Sequence, residues 1–152
     1  MRRPLIGLLG CLLLLLPFNT NAQNTGQDPV ISFIRMMYND ELYEDYYFLK
    51  RYCTKKMLAK LADNYDYECE GECYATWLFR SSAQDDKSSS SGGFDDISAI
   101  ITIEDKGNHW YAYTAYDMGW KFTNWIYVTR SGDTFLIDDV KNVYDECKEA
   151  NW

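Results

Sequence analysis

The C-terminal half of the chain reads ISAIITIE (97–104), HWYAYTAY (109–116), WKFTNWIYVT (120–129) and TFLIDDVK (134–141). All four runs are rich in β-branched and aromatic residues, which suit a pleated, half-buried surface. Between them stand Asp105-Lys106-Gly107-Asn108, Asp117-Met118-Gly119 and Arg130-Ser131-Gly132-Asp133. Connections this short join antiparallel neighbours, so the segment predicts a four-stranded antiparallel meander. In the third run, strand alternation places Trp120, Phe122, Asn124, Ile126 and Val128 on one face. Lys121, Thr123, Trp125, Tyr127 and Thr129 share the other.

Upstream, the pattern changes to helical spacing. Asp28-Pro29 supplies an N-cap followed by proline at the first helical position, and Val30, Phe33, Ile34, Met37 and Tyr38 then fall on one face, predicting a helix over 29–39. The aromatic and acidic stretch 43–52 suits a second short helix. Thr54 can cap a third over 55–62, whose buried stripe is Met57, Leu58, Leu61 and Ala62. Residues 64–73 read as a loop, 74–80 as a strand or one helical turn, and 85–96, with four consecutive serines and two glycines, as a segment without secondary structure. Helices first and a sheet afterwards describe an α+β domain whose helices cover one face of the sheet.

The N-terminus carries Arg2 and Arg3, an apolar run from Leu5 to Leu16, Pro17, and then Thr20 and Ala22 at the small-residue positions of a cleavage site before Gln23. This is the order of a secretory signal, and its apolar run of about a dozen residues falls short of the ~20 that span a bilayer. Leu8-Leu9-Gly10-Cys11 resembles a lipobox, but Leu12 to Leu16 continue the apolar run past the cysteine, so Cys11 is read as discarded with residues 1–22 rather than lipidated. The mature chain, 23–152, is then one periplasmic or secreted domain with no membrane insertion. Loss of Arg2 and Arg3 lowers the 15 basic residues to 13 against 23 acidic ones. With no basic cluster, the composition argues against nucleic acid as a partner and leaves a protein, a glycan or a small molecule.

Without Cys11 the cysteines are Cys53, Cys69, Cys73 and Cys147, an even set in an exported chain. Such a set reads as a disulfide framework. Cys69 and Cys73 flank a tight turn and can approach to bonding separation, so the expected pairs are Cys69–Cys73 and Cys53–Cys147. Metal and redox readings lack support. The one histidine is His109, and CxxxC is neither a zinc pair nor a thioredoxin motif. The acidic stretch 85–96 also lacks the glycine placement of a calcium loop. No cofactor is expected.

The helical first half, the meander and the last strand Phe135-Leu136-Ile137-Asp138-Asp139-Val140 together resemble the cystatin-like cone fold of nuclear-transport-factor-like and ketosteroid-isomerase-like proteins. More narrowly, Tyr52-Cys53-Thr54, Tyr74-Ala75-Thr76-Trp77-Leu78-Phe79-Arg80 with Ala83-Gln84-Asp85, and Ile137-Asp138-Asp139-Val140 resemble a bacterial exported family, domain-of-unknown-function family 3828. The resemblance covers nearly all of the mature chain. It implies a pocket between helices and sheet and no particular activity, because one fold hosts many functions.

Candidate sites follow from residue chemistry. An isomerase-like site would use Asp138 or Asp139 as base and Tyr113 or Tyr127 as oxyanion donor. Adjacent strand residues point to opposite faces, so only one of the two aspartates would enter a pocket. His109, opening a strand after a Gly-Asn turn, reads as solvated, and no serine or cysteine stands in a nucleophile motif. Trp77, Trp110, Trp120 and Trp125 with the tyrosines offer rigid surfaces for a glycan or peptide, if they do not simply fill the core. If the face of Trp125 and Tyr127 is open, it forms an aromatic patch. Arg80 is expected to pair with Asp138 or Glu104, or to meet an anionic ligand. The leading expectation is a noncatalytic binding domain. A small-molecule isomerase and an inhibitor or immunity protein are the alternatives.

Overall fold

The computed structural model describes residues 28–84 and 97–150. The expected leader at 1–22 and the serine-rich stretch 85–96 lie outside the described residues.

Helix α1 (Pro29–Asn39) begins where Asp28 accepts a hydrogen bond from the Val30 amide at 2.8 Å, and it buries Phe33, Ile34, Met37 and Tyr38. The single helix expected over 43–52 is divided. A 3₁₀ turn (Leu42–Glu44) precedes α2 (Tyr46–Tyr52), and between them Asp45 is extended so that its carboxylate can accept from the Phe48 amide at 2.6 Å. An aspartate is worth more as a cap than inside a helix, where its side chain competes with the backbone. Thr54 caps α3 (Lys55–Asp63), which buries Met57 and Leu61. The segment 74–80 forms a 3₁₀ turn (Thr76–Phe79), followed by a second (Ser82–Gln84). No helix among the described residues is long and apolar enough to cross a membrane.

Strands β1 (Ile97–Gly107), β2 (Trp110–Asp117), β3 (Trp120–Ser131) and β4 (Thr134–Asp145) form one antiparallel sheet in the order β1-β2-β3-β4, and α4 (Glu146–Ala150) ends the described chain. The domain is therefore α+β. The first two hairpins turn on Asn108-His109, with φ of 51° and 67°, and on Met118-Gly119, with φ of 52° and 86°. Paired positive φ values match the twist of two-residue hairpins. His109 thus sits in the turn rather than at the start of a strand.

The register pairs Tyr111 with Ile126, Tyr113 with Asn124, and Ala115 with Phe122, and continues from Ile126 to Val140. These side chains form the buried face. Ile34, Met37, Leu49, Met57, Leu61 and Phe79 join them in one core cluster. Each large aliphatic side chain fully removed from water contributes about 1.5–3 kcal/mol. Trp120, expected on this face, is 39% exposed beside the Met118-Gly119 turn.

Two shifts in the β3–β4 register leave Asp138 and Val143 as extra residues on β4. The first lets Ile137 and Val140, three apart, both reach the core. Backbone contacts anchor the helices to this edge strand: the Thr54 amide donates to the Ile137 carbonyl at 2.9 Å, and Cys53 bridges Ile137.

Cys69 and Cys73 are disulfide-bonded, with Cα atoms 6.3 Å apart. The expected Cys53–Cys147 bond is not formed, and both residues are buried thiols. Cys53 lies beside Ile137, whereas Cys147 follows the far end of β4. The eight steps from Ile137 to Asp145 span up to about 26 Å of extended strand at ~3.3 Å each. Disulfide geometry requires Cα atoms within about 7 Å.

Candidate functional site

Arg80 is buried, but its partner is neither Asp138 nor Glu104. Its Nη2 donates to Asp117 Oδ1 at 2.5 Å and its Nε to Oδ2 at 3.1 Å, while Ser81 Oγ donates to the same carboxylate at 3.0 Å. Asp117 ends β2 on the buried face, where the 3₁₀ turn Thr76–Phe79 delivers Arg80; Glu104 is instead exposed and bound to Lys106. Around this pair lie three buried tyrosines. Tyr113 stacks on Tyr38 with ring centroids 3.6 Å apart, and Tyr38 also contacts Tyr43. Burial pushes all three hydroxyls well above the ordinary tyrosine range. The Tyr38 hydroxyl donates to the Phe79 carbonyl at 2.8 Å, while Tyr43 Oη, Tyr113 Oη and Arg80 Nη1 have no hydrogen-bond partner.

The two adjacent aspartates of β4 are held from α3 and its cap. Asp138 accepts from Thr54 Oγ1 at 2.8 Å and Lys56 Nζ at 2.7 Å, and Asp139 from Lys60 Nζ at 2.7 Å. The hydrogen bonds from Lys56 and Thr54 hold the Asp138 carboxyl below the usual aspartate value. The separation of Asp138 and Asp139 onto opposite faces, expected from strict alternation, is removed by the bulge at Asp138. The four residues nominated for isomerase chemistry are dispersed: the aspartates at the α3 edge, Tyr113 in the core, and Tyr127 on the opposite sheet face.

That opposite face carries the aromatic patch. Trp110, Trp125 and Tyr127 are half-buried, with Trp110 5.1 Å from Tyr127 and 6.2 Å from Trp125 between ring centroids. His109 lies 5.8 Å from Tyr127, and Lys141 Nζ stands 4.5 Å from the Trp110 ring centre. Next along the same face, Thr114 and Thr123 share a 2.9 Å hydrogen bond. None of the three large rings belongs to the core cluster or to the side chains packed against it.

Two concavities flank α3. One, of about 560 Å³, lies between α3 and the disulfide loop and is lined by Lys55, Leu58, Tyr65, Tyr67 and Tyr74. Glu72 ties that loop to α2 through Tyr46 and Lys50. The other, about 470 Å³, is a cleft between the two 3₁₀ turns and β4. It brings Trp77 and Arg80 together, with Lys60, Asn142 and Lys148, three residues that sequence reasoning missed. A partial signal exists in the spacing of Lys56 and Lys60, one helical turn apart, opposite a strand with paired aspartates. Among the described residues no group of three or more His, Cys, Asp or Glu is placed to hold a metal.

The chain matches no family model, no curated protein and no solved structure.

Proposed function

We propose that the protein is a noncatalytic binding domain, exported to the periplasm or beyond, that holds a neutral glycan against the aromatic face of its sheet. The observation carrying this reading is the cluster of Trp110, Trp125 and Tyr127 outside the core. Half-buried rings of this size on an open sheet face are costly to leave against water and mark interaction surfaces. Rigid rings offer stacking area to the apolar faces of sugars, and the Thr114 and Thr123 hydroxyls lie alongside to hydrogen-bond sugar hydroxyls. The Cys69–Cys73 disulfide suits an oxidising compartment. The architecture in this reading is cystatin-like, with the N-terminal helices closing the inner side of a curved sheet, as the resemblance to family 3828 implies.

The test is titration of the mature protein with cellohexaose, chitohexaose and maltohexaose, followed by tryptophan fluorescence and calorimetry. Saturable binding of at least one, weakened tenfold or more by Trp125→Ala with an unchanged circular dichroism spectrum, is expected. Absence of binding to all three, or an affinity indifferent to Trp125→Ala, would overturn the glycan reading.

A further inference from the structure

We infer that the cleft beside β4 is a second binding site, for a small organic anion with a flat apolar body and a phosphate or carboxylate head. The cleft lies at the edge of the sheet, between the 3₁₀ turns that carry Trp77 and Ser82 and the strand segment Val140 to Val143. At about 470 Å³ it falls within the range of small-molecule sites. The chain as a whole has a net charge of −8. Yet the lining of this cleft contains Lys60, Arg80 and Lys148, with Lys141, whose Nζ stands over Trp110 on the other face, and not one carboxylate. A concave wall of one sign concentrates ligands of the other.

Two buried polar atoms of the lining strengthen the assignment. Arg80 is 2% exposed, its Nε and Nη2 are committed to Asp117, and its Nη1 has no hydrogen-bond partner, with the nearest carboxylate oxygen, on Glu44, 3.8 Å away. Ser82 Oγ is likewise buried without a partner. Buried polar groups are normally satisfied; both atoms are closed to solvent and Arg80 Nη1 stands on the Glu44 side, so a turn of the Ser82 side chain is what would bring a donor to an oxyanion in the cleft.

The lysines differ in how firmly they are held. Lys60 is engaged by Asp139 and by the Val140 carbonyl, and so stands fixed at the rim. Lys148 donates to Asn142 Oδ1 at 3.1 Å and has no ion pair among the described residues, so it can turn to an incoming anion. Asn142 in turn donates to Asn124 Oδ1 at 2.9 Å, which fixes the floor against the core. Trp77 supplies the flat wall. Its indole is held by Tyr65 and Tyr67, with ring centroids at 5.5 and 5.7 Å, so a planar ligand body would meet a surface already ordered.

The site shares Lys141 with the aromatic face, and the experiment keeps the two apart. Phenyl phosphate, benzoate, inorganic phosphate and phenol are titrated into the ¹⁵N-labelled mature protein, and amide shifts are followed. Phenyl phosphate or benzoate should shift the amides of Ser81, Ser82, Asn142 and Lys148 saturably. Inorganic phosphate should bind at least threefold more weakly than phenyl phosphate, and phenol should leave these amides in place. Lys148→Gln, at an exposed position, should weaken phenyl phosphate binding about threefold, and Lys60→Gln with Lys148→Gln about tenfold. Inorganic phosphate binding as tightly as phenyl phosphate would overturn the organic ligand in favour of a free oxyanion site. Shifts elsewhere only, an absence of saturation, or affinity unchanged in both variants would overturn the site itself. Failure of the glycan titration leaves every one of these outcomes readable.

Discussion

Replacing Arg80 by methionine would leave Asp117, which is fully buried, without its cation. A buried ion pair is at best weakly stabilising as a whole, because both charges lose water, but removing one partner typically costs about 3–5 kcal/mol. Arg80→Met is therefore expected to lower the urea unfolding free energy by about that amount. The double variant Arg80→Met with Asp117→Leu should recover much of the loss. A double variant as unstable as the single one would show that Arg80 acts through Ser81 and the tyrosines rather than through its charge. The identity of this partner was not legible in the sequence. Asp117, Asp138 and Glu104 are equivalent as residue types, and only the register of β2 brings the first of them beneath the 3₁₀ turn.

Among the elements, hairpins and helix starts were the most legible because their chemistry is local. Asp28, Asp45 and Thr54 each cap with their own side chain, and the glycines mark the turns. Bulges were not legible. Nothing in Ile137-Asp138-Asp139-Val140 announces that Asp138 drops out of the ladder, yet that one residue decides which side chains face the core and where both aspartates meet α3. The β2–β3 hairpin offers a clean test of turn energetics. Met118 is exposed and adopts φ 52° ahead of Gly119, a conformation that asparagine tolerates better than methionine. Met118→Asn should raise stability by about 0.5–1 kcal/mol in urea unfolding, since Asn-Gly is favoured for this turn. A decrease would mean that the methionine makes contacts worth more than the backbone preference.

For the whole molecule, burial sets the response to pH. The Cys53 thiol is pushed up to about 12 by burial, and burial first, then Asp28, pushes the Tyr111 hydroxyl up to about 12 as well. Tyr38, Tyr43 and Tyr113 move in the same direction. In the unfolded chain these groups release protons from about pH 9 for the thiol and 10 for the phenols, while the folded chain still binds them. The unfolded state then carries fewer protons, so stability falls as pH rises above about 9. Thermal unfolding scanned across pH should show a loss beginning near pH 9 and steepening toward 11, with Cys53→Ala delaying its onset. Asp138, held low by Lys56 and Thr54, acts at the other end: its contribution is present above about pH 4 and is lost as the carboxyl protonates below that. The site was legible only in fragments at this scale. Trp77, Arg80, Trp125 and Tyr127 were visible as residue types, but pairing Trp77 with Arg80 in one cleft and Trp125 with Tyr127 on one face required the fold.

Cys53, Cys69, Cys73 and Cys147 pose a pairing problem in which separation along the chain favours one pair. Cys69 and Cys73 are four apart and Cys53 and Cys147 are far apart in the chain, so a collapsing polypeptide in an oxidising medium meets the short-range pair first. Cys53 and Cys147, as buried thiols, are enclosed where an oxidant of protein size does not reach. For Cys53 the high proton affinity adds chemical inertness, since thiolate rather than thiol attacks a disulfide. The core thus doubles as a sulfhydryl shelter for Cys53 and Cys147.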